Sequence, residues 1–132
     1  MLGVPPCPFC ALDGERLVAE DDLVVAIRDG RPVSPGHTLI ITRRHVRSLT
    51  EATAAEAAAI LRVLGTTRAA LDAELHPDGY NIGINDGVAA GQTIMHLHVH
   101  LIPRFTGDVA NPRGGVRHCI PGQGCHSPSR PG

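Results

Sequence analysis

The sequence predicts an α+β domain built on an antiparallel sheet with one main helix, and three observations carry that expectation. Apolar runs of strand length flank a single long helical pattern, short Gly- and Pro-containing stretches separate them, and no segment repeats. A chain of 132 residues suffices for one domain with a core of its own. With 42% hydrophobic but only 2% aromatic residues, that core has to be aliphatic.

Residues 16–29 (RLVAEDDLVVAIRD) read as two short strands joined at an acidic turn, with Leu17, Val18, Leu23, Val24, Val25 and Ile27 in strand-length groups. GRPVSPG (30–36) is a loop by its Gly and Pro content, HTLIIT (37–42) a buried strand, and RRHVRSL a polar connection. The helix is expected from Thr53 to Leu75. Thr53 and Glu56 form a capping-box pattern, and Ile60, Leu64, Leu71 and Leu75 recur near the helical period. HPDG (76–79) ends it. YNIGIN (80–85) returns to strand alternation, DGVAAGQ is a loop, and TIMHLHVHLIP (93–103) is the longest strand. Past Pro103 the chain is rich in Gly, Pro and Arg without a period. The expected division is a domain over 1–105 and an irregular, partly disordered arm over 106–132.

Composition also excludes functions. A formal net charge of -1 gives no electrostatic argument for a nucleic-acid or membrane partner. All 12 basic residues are Arg, which rules out a Lys-based phosphate loop and Schiff-base chemistry. No apolar run approaches a membrane span, and MLGVPPCPFC lacks the charged and apolar regions of a signal peptide. The expected setting is the reducing cytoplasm, where cysteines serve as metal ligands or bystanders more often than as disulfides.

The densest chemical signal is GQTIMHLHVHLIPR (91–104). Alternate residues of a strand share a face, so His96, His98 and His100 are expected on one side, with Leu97, Val99 and Leu101 in the core. For 8 His in this chain, chance would supply such a pattern roughly 0.03 times. Two chemistries suit it: a shared metal ion, or attack of a neutral imidazole on phosphorus with a neighbouring imidazolium stabilising the phosphoryl charge. Spacing alone does not separate them. Cys7 and Cys10 form a CxxC suited to tetrahedral zinc. A redox pair would want a preceding strand and a following helix, both missing here. Two further ligands would have to come from distant His or Cys residues.

GQTIMHLHVHLIPR resembles the signature of the histidine-triad family of nucleotide hydrolases and transferases. AIRDGRPVSPGHTLIITRRHV (26–46), the helix, and NIGINDGVAAGQ follow in family order, so the resemblance covers residues 7–104. It implies the family's fold, with a sheet extended across a homodimer. It also implies attack by the middle histidine, His98, on an α-phosphorus, giving a covalent nucleotidyl-histidine. His100 would contact phosphate oxygens or support the leaving group, and His37 would orient the cluster. Gln92, Thr93 and Asn85 match phosphate-binding positions and Asp29 a ribose-binding one, while Phe9 and Ile27 are the candidates for an apolar base slot. Zinc-containing members use a CxxC, a histidine past the RRH strand and the first triad histidine, which maps to Cys7, Cys10, His45 and His96 around a structural Zn2+.

The resemblance implies a hydrolase acting on nucleotide phosphoanhydrides or phosphoramidates, with dinucleoside polyphosphates as the leading substrate. The alternatives are an adenosine phosphoramidase or nucleotidyl transferase of the same fold, and a nucleotide-binding module without turnover. Cys119 and Cys125, with His118 and His126, fit no firm ligand spacing and read as bystanders. Arg113 and Arg117 suit a polyphosphate tail or plain solvation equally, and stand outside the expected site.

Overall fold

The computed structural model describes residues 7–124. Strands β1 (Leu17–Glu20), β2 (Val24–Arg28), β3 (Thr38–Thr42), β4 (Gly79–Gly83) and β5 (His98–Arg104) form one antiparallel sheet in the order β1-β2-β3-β5-β4. A single long helix, α1 (Ala54–Leu75), packs on it. This is the expected α+β architecture. The acidic turn between β1 and β2 closes on Asp21, whose Oδ1 accepts from the amides of Leu23 and Val24 at 2.9 and 3.0 Å.

The expected capping box opens α1. Thr53 Oγ1 accepts from Glu56 N–H at 3.0 Å, and Glu56 Oε1 accepts from Thr53 N–H at 2.8 Å. Glu56 also pairs with Arg44 at 2.8 Å, and this guanidinium, with the cap amide, holds its carboxyl down to about 2. The buried stripe of α1 is Glu56, Ala59, Ile60, Val63, Thr67 and Leu71, wider than the leucine pattern suggests. His76 ends the helix in a left-handed conformation, φ 50°, before Pro77.

Pleating divides the core in two. Val24, Ala26, Ile40 and Val99 point to α1 and join Ala59, Ile60 and Val63. Val25, Ile27, Leu39 and Ile41 point the other way and meet Phe9, Cys7, Leu12 and Ile94. Because Leu39 pairs with His100 and Ile41 with His98, the two histidines lie on that second face.

Two expectations change. The strand expected over 93–103 begins at His98, so His96 precedes it. Residues 93–97 find partners off the ladder instead. The Ile94 carbonyl accepts from Gln92 Nε2, and Leu97 N–H donates to Val46 O at 2.7 Å. The arm is irregular as expected, but its described part, 106–124, is tied to the domain. Arg104 and Asp108 pair at 2.7 Å, Thr106 N–H donates to Asp78 at 2.7 Å, and Gly115–Cys119 forms a short 3-10 helix. Gly114 is required here: its φ is 95°, and a Cβ would collide with the Gly124 carbonyl oxygen. Cys125 and His126 lie outside the described residues. No helix among the described residues is long and apolar enough to cross a membrane.

Candidate functional site

Two clusters of ligating side chains occupy the second face, and His96 and His98 link them. In the first, a turn closed by Cys10 N–H to Cys7 O at 3.1 Å brings both sulfurs beside His45 and His96. Cys7 Sγ lies 3.5 Å and Cys10 Sγ 3.6 Å from His96 Nδ1, and Cys10 Sγ lies 3.1 Å from His45 Nδ1. Ligands on one tetrahedral zinc, with Zn–S near 2.3 Å and Zn–N near 2.0 Å, sit about 3.6 Å apart, so this donor set fits the ion. His96 Nε2–H donates to the Thr42 carbonyl at 2.6 Å, which leaves Nδ1 as a lone pair facing the thiols. Burial lowers the His96 pKa, with His45 and His98 adding to the effect, and so favours the neutral, ligating form.

In the second cluster the hydrogen bonds determine every tautomer. Val33 N–H donates to His37 Nδ1 at 3.2 Å, so the His37 proton resides on Nε2. That N–H faces His100 Nδ1 at 3.0 Å and Asp29 Oδ2 at 3.4 Å. His100 therefore accepts at Nδ1 and carries its proton on Nε2. His98 Nδ1–H donates to the His96 carbonyl at 2.7 Å, leaving Nε2 unprotonated. Among the described residues Nε2 of His98 and of His100 has no hydrogen-bond partner and is not fully buried, although His98 as a whole is only 8% exposed. Burial lowers the pKa of both His37 and His100, and the Asp29 carboxylate opposes this in both.

Gly36 aims His37. Its φ is 84°, and a Cβ would stand 2.8 Å from Leu71 and 2.9 Å from Leu75, so the turn presses flat on the end of α1. Phe9, 8% exposed, lies edge-on to His98 with ring centroids 5.1 Å apart. With Ile27 it belongs to the apolar cluster beside the histidines. Asn85 and Thr93 are exposed, without a side-chain hydrogen-bond partner among the described residues. Asp29 does turn work with Oδ1, which accepts from Arg31 N–H at 2.8 Å.

Gln92 stands apart from the sequence expectation. Its side chain is buried and fully engaged with backbone: Oε1 accepts from Gly87 N–H at 2.8 Å, and Nε2 donates to Arg47 O at 3.0 Å and Ile94 O at 3.1 Å. It braces the loop before β5 rather than presenting its amide to a ligand.

The HIT domain model matches residues 13–107. The chain belongs to the HIT family. It is 42% identical over 117 residues to an uncharacterized HIT-like protein of Mycobacterium tuberculosis, covering 84% of this chain and 80% of that one. It is 35% identical over 95 residues to a bis(5'-nucleosyl)-tetraphosphatase (asymmetrical) of Schizosaccharomyces pombe, across 72% of this chain and 52% of that protein. Among solved structures, a Zn-bound histidine triad family protein from Mycobacterium smegmatis superposes with a TM-score of 0.71 at 39% identity, over 80% of this chain and 79% of that one. The HIT model leaves out both the CxxC turn and the arm beyond residue 107.

The family resemblance implies one backbone partner here, a carbonyl that accepts from the second ring nitrogen of His98; the rest of the backbone half of this site is not legible in the sequence. The amide of Val33 and the carbonyls of Thr42 and His96 set the imidazole tautomers, and no side-chain signal marks a backbone group.

Proposed function

We propose that this protein is a hydrolase of dinucleoside polyphosphates that cleaves at the α-phosphorus through a covalent nucleotidyl-histidine on His98. The observation that carries this reading is the bond from His98 Nδ1–H to the His96 carbonyl at 2.7 Å, which leaves an unprotonated, accessible Nε2. That lone pair bonds to the α-phosphorus as the bridging P–O bond breaks, and the leaving nucleoside polyphosphate takes the electron pair and, as its pKa requires, a proton from solvent. His100 Nε2–H donates to the phosphoryl oxygens, while His37 holds it in that tautomer. Water then adds to phosphorus and gives up a proton to solvent, the P–N bond breaks with its electron pair returning to Nε2, and the nucleoside monophosphate departs.

Asn85 and Thr93 contact the phosphates, whereas Gln92 serves them through the loop it braces. The free acceptor positions of Asp29 take the ribose hydroxyls, and Phe9 and Ile27 line the base slot. Cys7, Cys10, His45 and His96 hold a structural zinc, which when bound ties the N-terminal turn to the sheet and contributes stability. The working form is a cytoplasmic homodimer with sheets joined across chains, and the functional domain spans residues 1–105. The kinship with a tetraphosphatase supports the substrate class. A relative at 37% identity is an adenylylsulfatase of Arabidopsis thaliana, which keeps the phosphoramidase or transferase reading as the rival.

Turnover of diadenosine tetraphosphate beside adenosine phosphoramidate, followed by product chromatography, tests the reading. Cleavage of the tetraphosphate that vanishes in His98→Asn is expected. Preference for the phosphoramidate keeps the mechanism and changes the substrate, and binding of adenylate without turnover of either compound overturns the hydrolase.

A further inference from the structure

The face that carries the histidines continues past them. Side chains of β5 alternate, so Ile102 and Arg104 follow His98 and His100 on the same side, Ile102 lying about 7 Å beyond His100. There the arm folds back and borders an open cleft of about 570 Å³, walled by Val33, Ile102, Phe105 and Val109, with Asn81 and Arg104 among its polar groups. A second cavity, of about 260 Å³, lies under β1 and β2 beside Phe9, Val25 and Ile27. Strand order places His98 and His100 of β5, and His37 at the entry to β3, between the two. Beside His100 the sheet surface is uncovered: Gly83 pairs with His100, and a Cβ there would meet nothing within 4 Å.

We propose that the larger cavity is a binding site for the second nucleoside of the substrate, the one that leaves with the departing phosphates. This rests on the hydrolase reading above and deepens it. A nucleoside needs apolar walls for the base and a few fixed polar groups for the sugar. Val33 and Val109, 74% and 47% exposed, are apolar surfaces that a base would cover. The Arg104–Asp108 pair, 2.7 Å apart, and Asn81, which accepts from Arg104 at 2.6 Å, form a rigid polar rim. The Gly114–Gly115 turn makes this wall a shaped one, since Gly115 packs with 3.3 Å between its Cβ position and Asn81. An amine or other small leaving group would leave the cavity unused, so the second site selects substrates with a nucleoside at each end.

The test is calorimetric titration of the His98→Asn protein with diadenosine tetraphosphate and with adenosine tetraphosphate, which lacks the second nucleoside. Binding about tenfold tighter for the dinucleoside is expected. Val109→Trp, filling the cavity from the arm, should erase that difference. Val116→Trp, at a 66% exposed position that does not line the cavity, should leave it intact. Equal affinities in the starting protein overturn the proposal, as does a difference that survives Val109→Trp. Wild-type turnover of an adenylate ester with a small leaving group reports on the hydrolase reading separately, because that substrate never reaches the second cavity.

Discussion

The side of the sheet under α1 and the side bearing the histidines are assembled by different means. Under the helix, Val24, Ala26, Ile40 and Ala59 are fully buried, and the packing is mainly aliphatic, with Glu56 and Thr67 as the polar members of the buried stripe. On the other side a smaller apolar cluster, centred on Phe9, shares its space with two groups of ligating side chains. The first side draws on periodic segments that each sequence run supplies whole. The second joins residues as distant as Cys7 and His96, and its order depends on hydrogen bonds and, in the proposed reading, on zinc. Stability and chemistry are thereby divided between faces, and substitutions should respect that division.

His98→Asn should have the largest effect, a loss of turnover on the order of 10⁴-fold. Melting temperature and metal content should be unchanged, because His98 belongs to neither the helix-side core nor the Cys/His set. Metal analysis sharpens the point: one zinc retained in this variant keeps the ion with the cysteines, and its loss moves the ion to the triad. Cys10→Ser comes next. It should release the metal and lower unfolding free energy by on the order of 4 kcal/mol, with activity falling as Phe9 and His96 lose their anchor. Thermal melts with and without a strong chelator measure this, and identical curves would break the contrast. On the opposite face, Ile40→Ala leaves a void and should cost about 3 kcal/mol in denaturant unfolding, with kcat per folded molecule preserved.

The smallest expected effect is electrostatic. His37 and His100 both lie below the ordinary value of 6.5 because they are buried, and the Asp29 carboxylate opposes that shift. Asp29→Asn should therefore move both titrations lower still, as read from imidazole proton shifts by NMR. The sign has a consequence for stability. A histidine held neutral stabilises fully above 6.5, and the contribution is lost as pH falls from there toward the lower folded value.

The helix side was the legible one. Apolar runs marked β2 and β3, and the Thr53–Glu56 pair marked the start of α1 because its chemistry is local. The histidine side was legible in its residue types and less so in its geometry. The alternation of His96, Leu97 and His98 reads as continuous strand, yet the Leu97 amide leaves the ladder for Val46 O. Gln92 is expected at the phosphates by its position, and the orientation that engages its amide with backbone is not something a sequence records. The joining of Cys7 and Cys10 to His45 and His96 followed from family resemblance and not from spacing, since 89 residues separate Cys7 from His96. In the arm, Gly114 and Gly115 read as slack chain, whereas both adopt positive φ in a packed turn.

Nε2 of His98 is the atom proposed to carry the nucleotide. Wild-type protein turning over diadenosine tetraphosphate, quenched in alkaline denaturant and digested, should yield an adenylate mass on the peptide containing His98. An active enzyme that shows no adduct there, or one whose adduct persists in His98→Asn, would contradict it.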